Sequence, residues 1–413
     1  MLSYYGPMSP ATVSVTLTVG LAPYQKTLAS SLMRAGMLCR LFDIGPDLMV
    51  QEPDGNGSLK GVKRFPAYQF STRVAWAIWR RLPLRIRPRP PVAFNVRLAD
   101  GFLANWIVPS TIFHGCTATC LASLRAAKEK GAITLVENAS RHPRHWREAE
   151  IEEYRKSGVN GRASGGDLSD SLQRRREREF EACDRIVVPS TIARQSFAEM
   201  GYADKTELVL TGVDAGFFTP KPPDGDVVDS EPQQPKRFRV CYVGRVEVVK
   251  GVGYLLQAWK RLALPHAELV LVGEVKPHME SILRAIGDSS MRLLGFLTPE
   301  RVREFYQQSN LFVLPSVNEG LAQVMLEAMA SGVPVVATDM TGATDCIENG
   351  KEGLIVPARD VDALAEAILW CYQHRDERQA MGRAARARIE SEFTLEHYNQ
   401  RQIALYRRLQ SMR

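Results

Sequence analysis

Between residues 240 and 337, short apolar runs alternate with amphipathic stretches in strict order. Strands are expected at 240–243, 268–272, 291–294, 311–314 and 333–337, and helices at 254–262, 279–286, 301–309 and 323–330. Such runs suit strands better than helices, because they are short and flanked by turn formers. A helix between each strand and the next predicts parallel pairing, since the chain must cross back before a parallel strand begins. The class is therefore α/β, a doubly wound sheet with helices on both faces.

The N-terminal half repeats this theme less regularly. A strand is expected at 13–19, a helix at 27–34 and a strand at 38–44. Asp54-Gly55-Asn56-Gly57 is a turn. An edge or irregular strand at 107–113, with a proline inside it, precedes a helix of about 15 residues ending near Lys130. A strand follows at 132–136, then two helices within 148–180 separated by a mobile glycine-serine loop at 161–166. The half closes with a strand at 185–188, a helix at 191–200 and a strand at 208–210. Prolines 220, 222, 223, 232 and 235 mark a linker. The division expected is 1–215, a linker at 216–236, a second α/β domain at 237–390, and a C-terminal helix at 391–413 returning to the first domain. Two such halves place a ligand cleft between them, at the carboxyl ends of the strands.

Composition narrows the partners. The net charge of +7 suits anionic ligands, a nucleotide diphosphate, an acidic lipid surface or nucleic acid, or is simply a generally basic, solvated surface. No nucleic-acid module is recognisable, so that class is set aside. The seven cysteines form no CxxC pair, which argues for a reducing, cytoplasmic compartment and against structural zinc. No window reaches 18 apolar residues, and 13–19 is strand length, so neither a membrane span nor a signal peptide is expected.

Two motifs carry chemistry. Val243-Gly244-Arg245 … Lys250-Gly251 joins a strand to a helix. Gly244 permits a tight turn and Gly251 lets a ligand approach the backbone. A helix N-terminus with an arginine and a lysine is a diphosphate site; an ordinary strand–helix turn with solvated cations is the plainer alternative. The second motif is Glu319-Gly320-Leu321-Ala322 … Glu327-Ala328-Met329-Ala330-Ser331-Gly332. On a helix, eight positions would set the two carboxylates about 80° apart, so they address different parts of one ligand. Glu327 stands among apolar residues, a costly place for an unpartnered carboxylate.

Residues 239–338 resemble the family-4 retaining glycosyltransferases of GT-B architecture. The resemblance rests on these two motifs together with Leu271-Val272-Gly273, Leu294-Gly295-Phe296, Leu314-Pro315-Ser316, the run Val333–Thr338 and Gly353–Val356. The segments 182–190 and 211–218 match the family's domain junction, and the first 180 residues match poorly. The resemblance implies two Rossmann-like domains and transfer of a sugar from a nucleotide-diphosphate sugar, with retention of configuration. The acceptor would be a glycan, a lipid-linked sugar or a small molecule. Arg245 and Lys250, with Gly244, would bind the diphosphate, and Glu327 the ribose. Glu319 would contact the transferred sugar, with backbone N–H groups from Gly320 and Leu321, and Leu297 would lie beside the base. No metal or other cofactor is expected, because the basic pair and the helix dipole neutralise the leaving group.

In the N-terminal half, the glycine pair such families often carry after the first strand is reduced to Gly20. The histidine often found near the sugar has Glu137 or Asn138 in its place, with His142 displaced and His114 as the other candidate. The segment 72–97 mixes Trp76 and Trp79 with arginines. It reads as a solvated loop, an anionic-membrane contact or an acceptor-phosphate site. A non-catalytic nucleotide-sugar-binding protein that kept the fold is the alternative from another functional class.

Overall fold

The computed structural model describes residues 13–19, 23–43, 49–54, 58–64, 92–158, 170–221 and 237–412. Gly20, most of the Arg/Trp segment, the glycine-serine loop and most of the linker lie outside them.

The N-terminal half runs β1 (Val15–Val19), α1 (Pro23–Arg34), β2 (Leu38–Asp43), β3 (Met49–Pro53), β4 (Leu59–Arg64) and α2 (Val92–Ala104). It continues through β5 (Ile112–Cys116), α3 (Leu121–Glu129), β6 (Ile133–Glu137), α4 (Pro143–Lys156), α5 (Asp170–Ala182), β7 (Arg185–Val188), α6 (Thr191–Ala198) and β8 (Thr206–Leu208). Among the described residues these strands form one eight-stranded sheet in the order β4-β3-β2-β1-β5-β6-β7-β8. It is parallel except for the antiparallel edge made by β3 and β4.

The C-terminal half runs β9 (Phe238–Val243), α7 (Val252–Leu262), β10 (Ala267–Val272), α8 (Met279–Ile286), β11 (Met291–Gly295), α9 (Pro299–Gln307) and β12 (Leu311–Leu314). Then come α10 (Gln323–Ala330), β13 (Val335–Thr338), β14 (Gly353–Val356), α11 (Val361–Gln373), α12 (Arg375–Glu392) and α13 (Leu395–Ser411). The sheet order is β11-β10-β9-β12-β13-β14, all parallel. Its strand order reverses between β9 and β12, where an open α/β sheet binds its ligand.

Two expectations for the N-terminal half are corrected. The strand expected at 107–113 is β5, and it sits centrally between β1 and β6 rather than at an edge. Pro109 precedes it, so no ladder donor is lost; Ser14 and Thr111 join β1 to the start of β5 instead. The long helix to Lys130 is only α3, because residues 117–120 form a turn with Ala118 at φ 74°. That left-handed alanine is held from both sides. Glu179 accepts from the Ala118 and Cys120 amides at 2.5 and 3.0 Å, and Arg175 donates to the Ala118 carbonyl at 2.8 Å.

The helix α13 returns to the first half. Tyr398, Leu405, Tyr406 and Leu409 are buried with Val15, Leu17, Leu28 and Leu32 in one core. Val213 and Phe218, on either side of the expected boundary at 215, both pack with the C-terminal core. Between the halves, Arg359 donates to Glu153 at 2.5 Å and Tyr254 to the same carboxylate at 2.9 Å. Thr191 N–H donates to Asp345 at 2.8 Å.

Candidate functional site

The turn at 244–251 forms, but the close approach at Gly251 is made by the chain's own backbone rather than left for a ligand. Gly244 has φ 149°, and Gly251 has φ 66° with the Pro315 carbonyl 1.8 Å from where a Cβ would stand. No other residue type fits this approach of two backbones. Gly251 caps α7 without a side chain, so the first amides of that helix have no side-chain cap. Lys250 ends a short 3-10 turn just before it. Its ammonium donates to Glu319 at 2.5 Å, and Ser316 Oγ donates to the same oxygen at 2.9 Å. The two motifs, far apart in sequence, thus meet through one ion pair.

Arg245 and Lys250 line a cleft of about 350 Å³ whose remaining wall comes from the other half. Tyr24 and Gln25 enter from the start of α1, Cys116 and Thr117 from the end of β5, and Glu137, Asn138, Ala139 and Ser140 from the end of β6. Pro143 and Trp146 of α4 and Arg176 of α5 complete it. Every contributing strand presents its carboxyl end, the arrangement expected of facing doubly wound sheets. A larger cavity of about 510 Å³ lies between α4, α7 and α8. It contains none of the residues singled out above, and its Glu153 is already committed to Tyr254 and Arg359. The chemistry is assigned to the smaller cleft.

Glu137 is the buried carboxylate of that cleft. Gln25 donates to Oε2 at 2.8 Å and Tyr398 of α13 to Oε1 at 3.1 Å. Burial pushes its pKa up, and these two bonds oppose the shift. Beneath it His114 is 1% exposed, and its Nδ1 is 2.5 Å from the Tyr406 hydroxyl. Burial lowers its pKa to about 3, so the ring is neutral near pH 7. The 3.8 Å approach of Nε2 to Glu137 is therefore no ion pair.

Glu327 lies on α10. Burial raises its pKa to about 7. Tyr306 stands 3.4 Å from Oε2, but its hydroxyl is closer to the Val324 carbonyl, at 3.1 Å, so the compensation is weak. Leu297 and Leu321 pack against the C-terminal core. Gly320 touches the other half: a Cβ there would lie 2.2 Å from the Ala139 carbonyl, and Ser190 Oγ donates to the Gly320 carbonyl at 2.8 Å.

Comparison with known proteins decides the class of the C-terminal half. Residues 237–374 match the family described as Glycosyl transferases group 1. They are a group 1 glycosyl transferase domain. The chain is 30% identical over 249 residues to alpha-maltose-1-phosphate synthase of Mycolicibacterium smegmatis, covering 55% of this chain and 64% of that protein. It is 30% identical over 248 residues to D-inositol 3-phosphate glycosyltransferase of Corynebacterium urealyticum, covering 55% and 57%. The match thus spans less than two thirds of each relative's length. Sucrose-phosphate synthase from Thermosynechococcus elongatus superposes with a TM-score of 0.66 at 20% identity, covering 97% of this chain and 100% of that one. HepE of Anabaena, solved with UDP and glucose, superposes with a TM-score of 0.62 at 15% identity, covering 95% and 98%. The fold is GT-B.

The group 1 domain brings Gly244, Arg245, Lys250, Glu319 and Gly320 together, and Glu137 and Asn138 face Arg245 and Lys250 across the cleft. His142 is not part of it. Its Nδ1 accepts from the Arg144 amide at 3.3 Å as the N-cap of α4. Its ring packs on Phe197 at 4.9 Å and Phe180 at 5.8 Å, and burial lowers its pKa to about 4. His142 is a capping residue inside an aromatic cluster and is not among the residues that line the cleft. Pro143 at the first helical position was the sequence signal for that cap.

Glu247 was not singled out in the sequence. It is 1% exposed and stands 3.1 Å from Arg245, and neither of its oxygens accepts a hydrogen bond among the described residues. Burial pushes its pKa up, against Arg245 and then Lys250. Its position between the two cations of the motif was the available signal. Gln25, Tyr398 and Tyr406 carried none, because they reach the site only through folding.

Proposed function

We propose that this chain is a glycosyltransferase moving a sugar from a nucleotide-diphosphate sugar to an acceptor hydroxyl, with retention of configuration. One observation carries the reading: Arg245 and Lys250 of the group 1 domain share a single cleft with Glu137 and Asn138 of the opposite half. Arg245, Lys250 and the uncapped start of α7 receive the diphosphate. Charge that develops as it leaves meets fixed cations and dipoles. Glu319 contacts the transferred sugar and Glu327 the ribose. The bond from the anomeric carbon to the phosphate oxygen breaks as the bond to the acceptor oxygen forms. The acceptor's proton passes to the departing phosphate oxygen, so neither glutamate of the group 1 domain is the base. Glu137, and Asn138 beside it, face the acceptor.

The direct test is nucleotide release from UDP-, GDP- and ADP-sugars, with the anomeric product examined by NMR and the assay repeated in EDTA. Turnover that survives EDTA and a retained product are expected. Activity lost on chelation and restored by manganese, or an inverted product, would contradict the mechanism. Nucleotide binding without release from any donor would favour the non-catalytic reading instead. No helix among the described residues is long and apolar enough to cross a membrane. A cytoplasmic enzyme in salt-sensitive contact with anionic lipid is part of the proposal. Equal, negligible sedimentation with anionic and neutral vesicles at low salt would remove that contact.

The titration of Glu327 gives a further expectation. A ribose hydroxyl donates to the carboxylate and favours its charged form, whereas below about pH 7 the free enzyme holds the proton. Nucleotide affinity should therefore fall about tenfold for each pH unit below that value, over and above the titration of the phosphates. In Glu327→Gln this component should vanish, while the phosphate titration is shared. Calorimetry on both proteins from pH 5.5 to 8 checks it; identical slopes would remove Glu327 from the ribose.

A further inference from the structure

We propose that Glu247 acts as a fixed counter-charge behind the diphosphate site: it repels the nucleoside diphosphate product more than the nucleotide-sugar donor, and so favours release after transfer. The inference rests on the glycosyltransferase reading and concerns the donor wall of the cleft.

The turn holds this carboxylate in place. Val246 N–H donates to the Glu274 carbonyl at 2.9 Å, and Lys276 N–H donates to the Val246 carbonyl at 3.0 Å. These bonds stitch the turn to the segment after β10. Val246 and Val248 are buried in the core shared by β9 and α7. Glu247 between them is extended, at φ −149° and ψ 163°, so its side chain leaves on the side opposite to that of Val246. There it is 1% exposed and stands 3.1 Å from the guanidinium of Arg245, which lines the cleft.

Three cations and one further carboxylate act on it. Burial raises its pKa; Arg245, Lys250 and Lys276 oppose the rise, and Glu319 adds to it. The other two carboxylates of this corner have close partners of their own. Glu319 holds Lys250 and accepts from Ser316, and Glu274 holds Lys276 at 2.8 Å in an exposed pair. Neither oxygen of Glu247 accepts a hydrogen bond among the described residues. A carboxylate buried in this way costs stability, and its field is little screened by water. A ligand bound to Arg245 lies one guanidinium away from it.

Donor and product differ in charge at this place. In the donor the outer phosphate is esterified to the sugar. Transfer breaks the bond from the anomeric carbon to that phosphate oxygen, and the proton received from the acceptor is then lost to water. A terminal phosphate has its second ionisation near about pH 6, so above pH 7 the product carries one more negative charge than the donor. Repulsion between like charges several ångströms apart in a half-buried site is worth about tenfold in affinity for each charge. A group that weakened both ligands alike would only raise KM, whereas one that weakens the product more favours release, a step that limits many enzymes.

The test is calorimetry at pH 8, without acceptor, on the full chain and on Glu247→Gln. The ligands are whichever of UDP, GDP and ADP binds, its glucose ester and the uncharged nucleoside. At pH 8 Glu327, whose pKa burial raises to about 7, is mostly ionised in both proteins and leaves the comparison unaffected. Glu247→Gln should bind the diphosphate about tenfold more tightly, the glucose ester no more than about threefold, and the nucleoside as the wild type does. Glu247→Asp keeps the charge and should keep the wild-type ratio of the two charged ligands. In steady-state assays of Glu247→Gln, the inhibition constant of the product should fall relative to the KM of the donor. Unchanged affinity for the diphosphate in Glu247→Gln, or an equal gain for diphosphate and ester, would overturn the proposal. A parallel loss of both would overturn it too, by showing that Glu247 only holds Arg245 in position. Nucleotide release from donors with no such difference removes the role of Glu247 alone. The difference without release from any donor removes the transferase reading and leaves the discrimination between the two ligands standing.

Discussion

Replacing Gly320 by alanine is expected to lower kcat/KM about 100-fold while leaving nucleoside diphosphate binding within threefold. The added methyl would lie 2.2 Å from the Ala139 carbonyl oxygen and 2.7 Å from Ser140 Cα. Both neighbours are backbone, so no rotamer change relieves the clash. Gly320 itself is not in the left-handed region, so the substitution tests contact between the halves and not local strain. Ala139 and Ser140 line the cleft beside Asn138 and Glu137, and pushing them outward moves the acceptor wall away from the donor. A displacement of about 1 Å at reacting groups costs on the order of 100-fold in rate. Arg245, Lys250 and Glu327 stand on other elements and keep their geometry. Gly101→Ala, on α2, is the control, because a Cβ there meets nothing within 4 Å. Steady-state rates and calorimetry on both variants decide the matter. Wild-type turnover in Gly320→Ala would mean that the Ala139–Ser140 loop plays no part in the reaction.

Glu319→Gln is expected to move binding and turnover in opposite senses. In the free protein the Lys250 ammonium is held by Glu319 at 2.5 Å, so an arriving diphosphate competes with that carboxylate for the cation. A neutral amide holds it more weakly. Nucleoside diphosphate should then bind as well as to the wild type, or up to about tenfold more tightly. Turnover should fall about 10- to 100-fold, because a charge-assisted bond to a sugar hydroxyl is worth about 1.5–3 kcal/mol where it tightens in the transition state. Single-turnover rates beside calorimetry separate the two effects. A parallel loss of affinity and rate would show that Glu319 serves only to position Lys250.

The C-terminal half was largely legible because each of its strand–helix units declares itself within a few residues. Gly244 and Gly251 mark a turn by the conformations they permit, and Glu327 marks itself by standing among methionines, alanine and leucine. The convergence of Lys250 on Glu319 was not legible: it spans 69 positions and depends on neighbouring strands in the folded sheet. The N-terminal half hides more. Glu137 and Asn138 could be found from their place at the carboxyl end of β6, but the partners of Glu137 come from 112 positions before it and 261 after it. No local period announces such pairings. The antiparallel edge β3–β4 was missed because Gln51, Glu52, Lys60 and Lys63 give it no apolar alternation. The turn expected at 54–57 falls mostly outside the described residues. The placement of the two histidines was not legible either: His142 caps α4, and His114 is buried with its Nε2 3.8 Å from Glu137, a neighbour supplied by an adjacent strand.

The measurement closest to the central claim is a calorimetric titration of the wild type and Lys250→Ala with UDP, GDP and ADP. One of the three should bind the wild type at a single site. Lys250→Ala should weaken that binding about tenfold or more, since a charge-assisted bond to a partly buried anion is lost. Equal affinity of the two proteins for that nucleotide, or no binding of any of the three to the wild type, would contradict the assignment of this cleft to a nucleotide-sugar donor.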